Sequence, residues 1–170
     1  GLRKGARMIE RTAVEGAAVS TAWYSECGAF RYRLRRVWGA GPVLTAVLLN
    51  PSTATEAADD PTIRGLAARA RAAGLGGLDV FNLFALRARD PAALRRAPDP
   101  VGPENDAVLR ETADTVLCGW GRHGGARGIA VAAALRAAGR RLMCLGRNAD
   151  GTPRHPLYVA AARGMEVWDG

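Results

Sequence analysis

The sequence predicts an α/β protein: a three-layer α/β/α arrangement around a mostly parallel four-stranded central sheet, with an N-terminal β-hairpin. Three observations predict it. Short apolar runs rich in Val, Leu and Phe recur along the chain, the mark of strands covered on both faces. Segments with helix-start signals alternate with them, and such alternation implies parallel strands joined by crossover helices. The chain has 170 residues, 48% of them hydrophobic, which suits one domain with a full core.

Residues 1–28 read as an N-terminal extension, and the core spans about 29–160. Residues 30–38 (FRYRLRRVW) alternate apolar and basic side chains, so a half-exposed strand with Arg31, Arg33 and Arg35 on one face is expected. Gly39-Ala40-Gly41-Pro42 is a turn. Residues 43–49 are the first buried strand, ending at Asn50-Pro51. Asp60-Pro61 starts a helix over 62–73, because Asp caps well and Pro suits the first helical position; Gly74 ends it. Residues 78–84 (LDVFNLF) are the second buried strand. Asp90-Pro91 opens a short helix to about 97, and Pro103 another to about 113. Residues 115–119 form a third strand, 127–138 an Ala-rich helix and 141–145 a fourth strand.

Lys and Arg number 24 against 16 Asp and Glu, a formal net charge of +8. That balance favours a polyanionic partner, nucleic acid first. The basic residues are densest at 31–36, 64–71 and 87–96, within the predicted elements rather than in a tail. Cys27, Cys118 and Cys144 are far apart and lack metal-ligand spacing, so no metal and no cofactor are expected, and the thiols read as reduced in a cytoplasmic protein. No apolar run is long enough to span a bilayer, and no signal-type apolar segment follows the basic residues 1–7. The expected protein is a monomer with no membrane partner.

In parallel sheets the working site lies outside the carboxyl ends of the strands. Four segments sit there. They are Leu49-Asn50-Pro51-Ser52, the stretch from Asn82 through Phe84 to Arg87, Trp120-Gly121-Arg122-His123, and the polar turn Arg147-Asn148-Ala149-Asp150-Gly151 leading into Arg154-His155-Pro156-Leu157-Tyr158. Together they resemble the uracil-DNA-glycosylase superfamily. That family carries a Gly-x-(Asn/Asp)-Pro motif after the first core strand and an Asn in the second. A Trp-Gly turn follows its third strand and a His-Pro-Ser-Pro-Leu loop its fourth. The match runs from about residue 43 to 158. More closely, the segments LNPSTA (49–54) and DDPTIR (59–64) resemble a bacterial and phage family of unassigned function.

The resemblance implies a monofunctional DNA glycosylase. Such an enzyme flips a base out of double- or single-stranded DNA and hydrolyses its N-glycosidic bond to leave an abasic site. Asn50 would then hold the attacking water, and His155 would donate a hydrogen bond to the base oxygen as charge develops there. Asp60 reads as a helix cap, whereas Asp59 is not explained by capping and is the alternative water-activating carboxylate. Asn82 would read the Watson–Crick edge, since an amide both donates and accepts. Pro51, Ser52 and Phe84 would complete the base site. Arg87, Arg89, Arg122, His123 and Arg154 suit phosphates, and either Leu157 or Tyr158 would fill the gap left by the flipped base.

Two departures matter. Strict uracil enzymes place a bulky Tyr after the first motif, where this chain has Ser52 and Thr53. A larger, 5-substituted pyrimidine is therefore the expected base, as in hypermodified phage DNA, with a role in antiviral defence. The Ser-Pro spacer of the fourth motif is also missing. Two other functions compete: a non-catalytic nucleic-acid-binding module, and an N-glycosidase acting on free nucleosides or nucleotides.

Overall fold

The computed structural model describes residues 8–170, and the basic stretch at 1–7 lies outside the described residues. Residues expected to be an extension form two full strands, β1 (Met8–Glu15) and β2 (Ala18–Ser25), paired as an antiparallel hairpin. In β2 the buried Ser20, Ala22 and Tyr24 alternate with less buried neighbours, the period of a strand with one covered face. β3 (Arg31–Val37) pairs antiparallel with β2. The predicted apolar runs form β4 (Val43–Leu48), β5 (Gly77–Asn82), β6 (Thr115–Gly119) and β7 (Arg141–Cys144). They lie parallel in the order β5-β4-β6-β7. β8 (Glu166–Val167) closes the far edge antiparallel to β7.

The expected three-layer fold on a mostly parallel four-stranded sheet is therefore corrected. One mixed sheet of eight strands runs β1-β2-β3-β5-β4-β6-β7-β8. Among the described residues, four of its strand pairings are antiparallel and three are parallel. Helices are few: α1 (Pro61–Ala72), α2 (Pro91–Arg96), α3 (Asn105–Leu109) and α4 (Gly125–Ala137). The physical reason is an edge. Paired on one side only, β5 would leave a row of unpaired backbone groups, and β3 covers it antiparallel. The turn at 39–42 consequently joins two strands that are not neighbours, with β5 between them.

The sheet is covered on both faces. On one, Ile63, Leu66, Ala67 and Ala70 of α1 pack on Leu44, Ala46, Leu48, Leu78 and Val80. On the other, Val108 and Leu109 of α3 and Val131, Ala132 and Leu135 of α4 pack on Val47, Phe81, Val116 and Cys118. Asp60 caps α1 as expected, its Oδ1 accepting from the Ile63 amide at 2.9 Å. No helix of the described residues is long and apolar enough to cross a membrane.

One irregularity positions the site. The register of β2 against β3 slips: Trp23 faces Arg33 and Tyr24 faces Arg31, which leaves Tyr32 as an extra residue. This is a β-bulge, a device that re-aims side chains. Arg33 lies over the Phe81 ring at 4.9 Å, on the α3/α4 face. Arg31 donates from Nη1 to the Ala54 carbonyl at 2.6 Å, on the α1 face. The expectation that Arg31, Arg33 and Arg35 share a face is thereby corrected. The expected basic surface here is largely an internal ion-pair network: Arg33 and Arg35 both pair with Asp79, at 2.6 and 2.9 Å, and Arg36 pairs with Asp59 at 2.6 Å.

Candidate functional site

A cavity of about 560 Å³ opens at the carboxyl ends of β4, β5 and β6, where parallel strands present their working loops. Asn50, Pro51, Ser52, Asn82, Arg122, His123, Arg154, His155, Leu157 and Tyr158 all line it. Segments scattered over more than a hundred residues thus meet at one place. Arg89 lines it as well.

Asn82 ends β5 and is 0% exposed. Neither its Oδ1 nor its Nδ2 has a hydrogen-bond partner. A buried amide normally pairs both ends, and leaving them unmade is costly. Its backbone is held from the opposite face: Asn105 Nδ2 donates to the carbonyls of Asn82 and Leu83 at 3.0 Å each, and Arg127 Nε to Leu83 at 3.0 Å. The strand end is fixed while the side chain stays unengaged.

Asn50 is oriented by its own amide. Its Nδ2 donates to the carbonyls of Pro51 (2.9 Å) and Ala88 (2.8 Å), with a longer contact to Leu86 (3.4 Å). An NH2 group pointed at carbonyls leaves Oδ1 as the end able to accept from a water.

His155 begins the loop that closes the cavity. The Leu157 amide donates to its Nδ1 at 3.2 Å, so the neutral ring carries its proton on Nε2. Burial pushes the imidazole below its ordinary range, and the charge of Asp60 offsets part of that shift. Gly119 is what lets this loop sit down: a Cβ there would lie 2.9 Å from Pro156 Cδ. At the rim, Leu157 is 49% and Tyr158 75% exposed. Arg154 donates to the Tyr158 carbonyl at 2.7 Å, and Arg122 and His123 stand exposed in a 3₁₀ turn.

Three predicted residues lie outside the cavity wall. Asp59 is held by Arg36, whose Nε and Nη2 donate to its Oδ1 at 2.9 and 2.6 Å. Phe84 packs against the α3/α4 core. The Arg87 guanidinium lies over the Tyr24 ring at 5.3 Å and donates to the Gly28 carbonyl. Conversely, sequence reasoning placed Arg31 only on a half-exposed strand, Asn148 at the edge without a role and Asp60 only in a cap, and all three line the cavity. Asp60 follows Asn50 closely enough to have been suspected. Arg31 carried no signal, because the bulge that aims it belongs to the pairing of two strands. Trp120 supplies an aromatic wall, and Gly128 lets α4 approach it: a Cβ there would be 2.6 Å from its Nε1.

No curated protein and no solved structure matches the chain. A family model does match, over residues 31–157, and that stretch contains nearly all of the cavity wall. The chain belongs to this family, DUF1643, whose description is a protein of unknown function.

Proposed function

We propose that the cavity receives a base flipped out of DNA and that the protein hydrolyses its N-glycosidic bond, with a site of uracil-DNA-glycosylase type carried on this mixed sheet. The observation that carries this is the Asn82 side chain, fully buried in the cavity wall with donor and acceptor both unpaired. A base edge that both accepts and donates completes it. Asn50 Oδ1 holds a water that attacks C1′ of the sugar. The C1′–N bond breaks, its electron pair leaves with the base, and the water's proton passes to solvent. His155 Nε2–H donates to the base oxygen as charge builds there. Asn50 is no strong base, so the rate rests on positioning and electrostatics.

The small Ser52 and Thr53 leave room beside the ring for a 5-substituent, which favours a modified pyrimidine such as those of phage genomes, and hence a cytoplasmic role in antiviral defence. The exposed Leu157 and Tyr158 occupy the gap in the duplex, and Arg122, His123 and Arg154 meet phosphates. The test is to incubate the protein with DNA containing uracil and with phage DNA rich in modified pyrimidines, scoring abasic sites by alkaline cleavage. Abasic sites that vanish in Asn50→Ala and Asn82→Ala variants are expected. Salt-sensitive binding to DNA without abasic sites on any substrate would replace the enzyme with a nucleic-acid-binding module.

A further inference from the structure

Of the four arginines of β3, three have carboxylate partners. Arg31 is 2% exposed and lines the cavity, and among the described residues no carboxylate lies within ion-pairing distance of it. Its Nη1 is held by the Ala54 carbonyl at 2.6 Å, whereas its buried Nε has no partner. The charge nearest in effect is Asp60, whose oxygens already accept from the amides of Ile63 and Ala54, at 2.9 and 3.3 Å. Burial pulls the Arg31 guanidinium down to about 10, with Asp60 only partly offsetting it.

A buried cation with one neutral partner is costly unless something completes it. With Nη1 occupied, the Nε–Nη2 edge remains, and this edge of a guanidinium matches the two oxygens of a carboxylate or phosphate. On the reading that the cavity holds a base, we propose that Arg31 binds an oxyanion carried by the ligand, beside the Asn82 amide that reads the ring. The oxyanion is either a carboxylate on the base itself or the 5′-phosphate of its nucleotide.

Calorimetric titration of the full chain with four probes tests this: uracil, uracil-5-carboxylate, deoxyuridine and deoxyuridine 5′-monophosphate. At least one acidic probe should bind about tenfold or more tighter than its neutral parent. A gain confined to the carboxylated base places the oxyanion on the ring; a gain confined to the monophosphate places it on the sugar. Arg31→Met should abolish that advantage and leave neutral-ring binding in place, and Arg31→Lys, which keeps the charge but loses the fork, should abolish most of it. Equal binding of acidic and neutral probes by the unaltered protein overturns the proposal even if the variants fail to fold, and so does an advantage that survives in Arg31→Met. Acid preference without abasic sites on any DNA would leave the oxyanion site and remove the glycosylase. Abasic sites without acid preference would do the reverse.

Discussion

Two buried asparagines on opposite faces of the sheet are treated differently by the chain around them. Asn105, on the α3/α4 face, is fully buried and donates to two backbone carbonyls, with only its Oδ1 unpaired. Asn82, on the α1 face, is equally buried and pairs with nothing. The arginines of β3 divide in a similar way, save that Arg36, also on the α1 face, is held by Asp59. Arg33 and Arg35 converge on Asp79 on the first face, while Arg31 enters the cavity on the second with only a carbonyl for company. On one face the chain pairs all but the Asn105 Oδ1, and on the other Asn82 and Arg31 keep unpaired polar atoms that the proposed ligand would complete.

This contrast can be broken most severely at Asn82. Its replacement by Ala should lower base release by about a thousandfold, as loss of a transition-state hydrogen-bonding group does, while thermal stability stays level or rises because an unpaired buried amide is gone. A fall in melting temperature matching that of Asn105→Ala would mean that the two residues do the same job. Asn105→Ala should destabilise by about 1–3 kcal/mol, since it strips donors from two buried carbonyls; denaturant unfolding measures it. At the rim, Tyr158→Ala and Leu157→Ala should each slow base release on duplex DNA by about tenfold, within the ~1–3 kcal/mol of a side chain that stacks in DNA. Single strands, with no gap to fill, should show less, and the more sensitive residue is the wedge.

The smallest expected effect is with pH. Because burial holds His155 below the ordinary imidazole range, the folded protein binds fewer protons there than the unfolded chain. Stability from this group is therefore present above the unfolded value and is lost as pH falls toward the lowered folded one. Base release should stay level down to about pH 6.5, the free imidazole value, and decline only below it, where a proton on Nδ1 breaks the bond from the Leu157 amide that holds the ring in place. A rate that halves at that pH would mean an unshifted histidine.

Much of the site was legible because strand ends are: Asn50, Asn82 and Trp120 each follow or end an apolar run, His155 lies in the loop after the fourth strand, and all reach one cavity. The starts of α1 and α2 were equally plain at Asp60-Pro61 and Asp90-Pro91. What escaped were properties of pairing. The joining of the β1–β2 hairpin to the sheet through β3, the insertion of β5 between β3 and β4, and the direction of Arg31 are set by how strands pair. Asp59 illustrates a related limit: a loop carboxylate beside Asn50 suggested chemistry, but Arg36 from β3 engages it first.

The bulge at Tyr32 bears on how relatives of this chain should be aligned. Tyr32 and Arg33 lie on one side of the sheet and Arg31 on the other, so a regular strand with the two arginines adjacent in sequence would aim them in these same directions. A family member one residue shorter here would lose a core tyrosine and keep its inward-facing cation. An alignment counts such a gap as divergence, whereas the geometry preserves the site across it.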